Sequence, residues 1–168
     1  MKAFIFKPLI VVAAVLAMVG CSTKGSITMM ESVPGVIVQG ESLKLDVVST
    51  AKDADTVAEK LKGQIASQLI GSGAFANLSN DVNATDFNIV VSVKSIREVS
   101  GTERVMLGAL AGSNKVAGNV SVKNSANGQV VKSFDFIGES ASHPFSGKSD
   151  MRDAIERAAE EIMTGLRG

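Results

Sequence analysis

Ser42-Leu43-Lys44-Leu45-Asp46-Val47-Val48-Ser49 leads, within a few residues, into Val57-Ala58-Glu59-Lys60-Leu61-Lys62-Gly63-Gln64-Ile65-Ala66-Ser67-Gln68-Leu69. The change of rhythm between the two stretches decides the fold. In the first, Leu43, Leu45 and Val47 alternate with Lys44 and Asp46, the period-two pattern of a strand buried on one face. In the second, Val57, Leu61, Ile65 and Leu69 recur every four residues, while Glu59, Lys60, Lys62 and Gln64 turn away. That spacing predicts an amphipathic helix of about four turns. Asp53 or Asp55 supplies a cap at its start, and Gly71-Ser72-Gly73 ends it as a left-handed cap does.

Working outward, Val36-Ile37-Val38 reads as a short strand broken by Gly40, and Ala74 to Leu78 as another, with a polar loop over 79–85. Asp86 to Glu98 is the longest strand, with Phe87, Ile89, Val91 and Val93 on one face and Asn88, Ser92 and Lys94 on the other. Val116, Gly118, Val120 and Val122 begin a second alternation, which Asn127-Gly128 turns into a returning strand around Phe134 and Phe136. Ser149 or Asp150 caps a final helix. Its stripe is Met151, Ile155, Ala158, Ile162 and Leu166, and Arg152, Glu156, Glu160 and Arg167 face solvent. The architecture these elements predict is α+β: a two-layer sandwich with a mixed or antiparallel sheet and two amphipathic helices on one face, in the order β-α-β-β-β-α.

The chain has 168 residues, the size of one domain. Seventeen basic residues balance seventeen acidic ones, so no global field points to nucleic acid. With 45 % of residues hydrophobic and 20 % charged, the chain has the material for a buried core. Trp and Tyr are absent, and the single His and single Cys exclude a His/Cys zinc cluster and an internal disulfide.

Residues 1–20 carry the signature of a secretory signal peptide. Lys2 and Lys7 make the positive start, and Leu9 to Val19 the apolar core, too short for a membrane-spanning helix, which needs about 20 residues. Met18-Val19-Gly20-Cys21 resembles a bacterial lipobox, with Met18 where Leu is commoner. The resemblance implies that the Cys21 thiol takes a diacylglyceryl group and becomes the first residue of the mature chain. Palmitate-type chains in pairs or threes hold a protein stably at a membrane, where one holds it only marginally. Removing Lys2 and Lys7 leaves the balance slightly acidic, so lipid and not a basic patch would provide the anchor. Ser22 after the Cys implies, by analogy with enterobacterial sorting, the outer membrane, with the domain facing the periplasm. Small polar residues follow, so 21–35 is expected to be the lipidated Cys and a flexible tether, with the single α+β domain over 36–168. Ile27, Met29 and Met30 suggest that part of this tether packs on the domain.

From Leu43 to the last helix, the order of elements resembles the bacterial lipoprotein family known as domain of unknown function 4410. The residues that carry the likeness are Arg104 to Ser113 before a strand, Val122 to Val130 around Asn127-Gly128, and Ala154 to Ile162. Leu110 stands where that family often has a further Gly. In topology alone the chain is also similar to the periplasmic domain of the curli secretion channel lipoprotein and to the amino-terminal domain of TolB. Such likenesses imply a fold and no activity.

Each chemical candidate has a plainer competitor. His143, near Glu139, Ser140 and Ser142, lies on an extended segment that points alternate residues apart, so no nucleophile–base pair is expected. Glu156, Glu160 and Glu161 are expected on the solvated side of the last helix. Asp81 and Asp86 lack the ordered spacing of a calcium loop. Gly112 is followed by Ser113-Asn114-Lys115 and then a β pattern, not the helix a phosphate loop requires.

Val105-Met106-Leu107-Gly108-Ala109-Leu110-Ala111-Gly112 resists a bland account, because eight uncharged residues form a connection between strands, and connections are normally polar. Either the stretch folds over the sheet's edge or second face, or Val105, Met106, Leu107 and Leu110 form an apolar tip for a membrane or a partner. The expectation is a non-enzymatic, lipid-anchored envelope protein without cofactor or metal, acting as a binding or interaction module. The alternative is a subunit of a secretion or pore-type assembly, using the 105–112 segment. Its partners would be the membrane, through acyl chains on Cys21, and another envelope protein or further copies of itself, with no nucleic acid.

Overall fold

The computed structural model describes residues 24–32, 41–52, 54–73, 77–81, 84–107, 111–141 and 151–168. Strand β1 (Lys24–Ser32) is followed by β2 (Ser42–Ser49), helix α1 (Asp55–Ser72) and β3 (Asn77–Leu78). Then come β4 (Phe87–Arg97), helix α2 (Gly101–Leu107), β5 (Lys115–Asn124), β6 (Val130–Glu139) and helix α3 (Met151–Arg167). The six strands form one open mixed sheet in the order β1-β6-β5-β4-β2-β3. β2 lies parallel to β4 because α1 carries the chain back between them, as a parallel pair requires. β4, β5, β6 and β1 are antiparallel neighbours.

One face of the sheet carries the core. Val47, Val91, Val120, Phe134 and Met29 lie side by side across five strands, and Val93, Gly118, Phe136 and Ile27 form the next row. Against this face α1 buries Ala58, Leu61, Ile65 and Leu69, and α3 buries Ala154, Ile155, Ala158, Ala159 and Ile162. The expected two-layer α+β sandwich is therefore observed. Helix α3 comes closest at Gly138 of β6, where an added Cβ would strike the backbone of Ala154 and Ala158. Small residues on both partners let the helix axis drop toward the sheet, and the buried Phe134 and Phe136 pack beyond it, against Gly165 and Gly118 respectively.

Four details differ from the sequence reading. Residues 24–32, expected as flexible tether, form an edge strand in register with β6, from Lys24 opposite Glu139 to Ser32 opposite Lys132. The reason is that Gly25, Ile27 and Met29 fall on the helix face while Ser26 and Thr28 fall on the other, so the short alternation finds a partner edge. Asp55 does not cap α1 by side chain; Ala54 is the N-cap residue, and Asp55 sits in the first turn, where the helix dipole favours an anion. Gly73 closes that helix at φ +60 as expected. Glu161, expected in solvent, is only 8 % exposed and pairs with Arg157 at 2.6 Å. Finally, Asn127-Gly128 does turn the chain from β5 to β6, but within a five-residue connection over 125–129 whose Gly128 N–H donates to Asn124 O at 2.8 Å. The expected strand at Val36–Val38, the caps Asp53, Ser149 and Asp150, and residues 74–76 of the strand expected over Ala74 to Leu78 lie outside the described residues.

Candidate functional site

The chain leaves β4 at Arg97 and re-enters the sheet at Lys115, and the connection between them is built in two tiers. The lower tier is locked. Val99 N–H donates to Asn114 Oδ1 at 2.7 Å, Asn114 N–H donates to Ser140 Oγ at 3.0 Å, and Ser140 N–H returns to Asn114 O at 3.0 Å. Asn114 is 1 % exposed, and Val99, Ala111 and Ser140 are buried beside it. The Arg97 guanidinium donates to Ala111 O at 3.0 Å, over Gly112, whose φ of +81 makes the return bend. Buried polar groups that are all bonded hold a segment in one place, because any shift orphans a donor.

The upper tier is α2. Seven residues are too few for a helix to persist on propensity alone. Its start is held by a reciprocal cap. Ser100 N–H donates to Glu103 Oε2 at 2.8 Å, Ser100 Oγ–H to the same oxygen at 3.0 Å, and Glu103 N–H to Ser100 Oγ at 3.2 Å. These bonds hold the Glu103 carboxyl below the ordinary carboxylate range, first through the Ser100 amide and then through its hydroxyl. On this helix Val105, Met106 and Leu107 are 85 %, 78 % and 53 % exposed. For these three residues the alternative of folding over the sheet does not hold. Ala111, the next described residue, is buried. Of the other exposed apolar residues, Val48 and Ile70 stand singly and Met29 and Met30 are neighbours on the edge strand β1; three in succession on a short, anchored helix are found only here among the described residues.

Leu110 and Cys21, the remaining expected contact and lipidation residues, lie outside the described residues, as does His143. Glu139 pairs with Lys115 at 3.3 Å, and Ser140 belongs to the buried anchor. Asp86 accepts from Ser42 N–H at 2.9 Å and Ser42 Oγ at 2.6 Å, so it clamps the start of β4 to β2. Those two bonds lower its pKa, and the adjacent carboxylate raises that of Glu41. No group of three His, Cys, Asp or Glu is placed to hold a metal among the described residues, and no described helix is long and apolar enough to cross a membrane. A groove of about 470 Å³ runs between α1 and α3, lined by Lys60, Gly63, Gln64, Met151, Arg152, Ile155 and Glu156. It holds charges of both signs and no nucleophile–base pair.

Sequence reasoning missed the anchor and the cap. Ser100-x-x-Glu103 ahead of an apolar run is a legible cap signature. Asn114 and Ser140 carry no such signal, since their burial depends on β5 and β6 pairing.

The model of the family described as Domain of unknown function (DUF4410) matches residues 24–144, starting at the first residue of β1. Among solved structures the fold is similar to the PelC dodecamer from Paraburkholderia phytofirmans in space group P6. That likeness has a TM-score of 0.59 and 12 % identity, covering 86 % of this chain and 99 % of that one. A point-variant PelC dodecamer from the same organism, in another space group, gives 0.58 and 13 %, covering 86 % and 98 %. Protein XCC0632 from Xanthomonas campestris, of family DUF330, gives 0.52 and 15 %, covering 83 % and 88 %. At these identities the likeness shows the fold alone. No curated protein matches the sequence.

Proposed function

This chain belongs to the family described as a domain of unknown function, DUF4410, and we propose a function from its own surface: a non-enzymatic, lipid-anchored interaction module of the bacterial cell envelope. Acyl chains on Cys21 hold it to the outer membrane facing the periplasm, and α2 is its contact surface. The observation that carries this reading is the exposure of Val105, Met106 and Leu107 on a helix whose base is locked by Asn114 and Ser140. A backbone already held at its base spares the ordering entropy that a free loop would lose on being covered, which favours binding. The signal-like residues 1–20 and the lipobox-like Met18 to Cys21 support the anchoring.

Metabolic labelling tests the anchor. Bacteria producing the full chain and fed radioactive palmitate are expected to yield labelled protein, and Cys21→Ala is expected to remove the label; an unlabelled parent protein would end the reading. A second reading, a homo-oligomeric subunit of an envelope secretion or pore-type assembly, is favoured by the dodecamers formed by PelC, whose fold is similar over nearly its whole chain. Light scattering on the detergent-solubilised protein distinguishes the two. A ring-sized species that Leu107→Asp reduces to a monomer supports the assembly, and a monomer in both supports the solitary module.

A further inference from the structure

The registers place the two ends of the proposed attachment together. Lys24 pairs with Glu139, Glu139 with Lys115, and Lys115 with Arg97. The start of β1, the end of β6, the start of β5 and the end of β4 therefore make one end of the sheet. Helix α2 begins at Gly101, four residues past Arg97, so it hangs from that same end. Three inter-strand steps separate β1 from β4, about 14 Å across the sheet. In the other direction only three residues lead from Lys24 back to Cys21, a reach of at most ~11 Å.

We infer that α2 is a second lipid contact: Val105, Met106 and Leu107 enter the leaflet that receives the acyl chains of Cys21, and so set the domain's orientation on the membrane. The inference rests on the acylation of Cys21 proposed above. With so short a link, the sheet end bearing α2 cannot stand far from the lipid surface, and the domain can only pivot about its anchor. An apolar helix end a few strand spacings from the pivot gains by burial in the interface in one orientation and gains nothing in the others. A protein occupant would have to fit between this end and the leaflet. Lys24, exposed in the same row, suits an anionic headgroup. The opposite end of the sheet, at the Ser125–Asn127 turn, is polar and would face away.

The absence of Trp and Tyr makes the test clean, since one introduced indole reports alone. Met106→Trp and, as a second probe, Val105→Trp fall on side chains that are largely in solvent, so the fold is expected to tolerate both. Ala126→Trp places the indole at the far turn. Each full-length, lipidated protein is reconstituted into phosphatidylethanolamine–phosphatidylglycerol vesicles, with and without brominated acyl chains. The expected result is a blue shift and loss of emission by bromine for the two α2 probes, with Ala126→Trp red and unquenched. Palmitate-labelled protein whose α2 probes stay unquenched overturns this inference alone. A blue shift without bromine quenching overturns it in favour of contact between protein copies. Protein without palmitate overturns the anchored reading and this inference with it.

Discussion

Replacing Asn114 by Ala removes the carboxamide that accepts the Val99 amide at 2.7 Å and leaves that donor buried, since Asn114 is 1 % and Val99 7 % exposed. A buried donor left unpaired costs about 1–3 kcal/mol, more than the bond itself contributes. Taking about 2 kcal/mol, the midpoint of thermal unfolding falls by roughly 4–8 °C for a domain of this size. Asn114 also ties its own backbone to Ser140, and those two bonds survive the substitution, so the sheet is expected to stay intact and α2 to lose its footing. Circular dichroism gives the midpoint, and amide hydrogen exchange gives the location. The Val99 amide is expected to exchange about thirtyfold faster for the same 2 kcal/mol if its opening becomes local. A midpoint within about one degree of the parent, with the Val99 amide equally protected, would show that the carboxamide does not anchor the connection.

Gly138→Val is expected to cost about 1–3 kcal/mol or more, because the backbone of α3 cannot yield as a flexible side chain would, whereas Gly63→Ala, with nothing near the new methyl on α1, is expected to stabilise by about 0.5–1 kcal/mol; chemical denaturation measures both. Arg157→Leu strands the buried Glu161 carboxylate and is expected to cost ~3 kcal/mol, while Glu160→Ala, removing the more exposed partner of the same guanidinium, is expected to cost under about 1 kcal/mol. Equal effects in that pair would place the energy in the wrong carboxylate. The Glu103 carboxyl is held below its ordinary value in the folded state, so its cap is complete at neutral pH and is lost as pH falls through that depressed value. The Ser100 amide resonance follows this loss, and Glu103→Gln is expected to abolish the titration.

Much of the fold was legible because its signals are local. The alternation of Leu43, Leu45 and Val47, the four-residue recurrence from Val57 to Leu69, and the stripe from Met151 to Leu166 each follow from the geometry of a single element, and each is found as expected. The apolar run at 105–107 was legible as an anomaly for the same reason, since eight uncharged residues in a connection contradict the ordinary chemistry of loops. What a single element cannot specify is which neighbour it meets. Lys24 to Ser32 looks like a tether until the free edge of β6 is there to pair with it. Glu161 sits four residues from Arg157, but also on the face of Ala154, Ala158 and Gly165 that packs toward β6 and β1, and only that packing buries it.

By itself, then, the chain's order of residues determined strands β2, β4, β5 and β6, the two long helices, their common face, and a lone thiol behind an apolar leader. The tertiary structure decided whether Val105, Met106 and Leu107 are covered, and that they stand at the same end of the sheet as Lys24. Both depend on pairings between residues far apart in sequence, Lys24 with Glu139 and Lys115 with Arg97. Backbone hydrogen bonding fixes such registers only when every strand is present, and no periodicity within one segment encodes them.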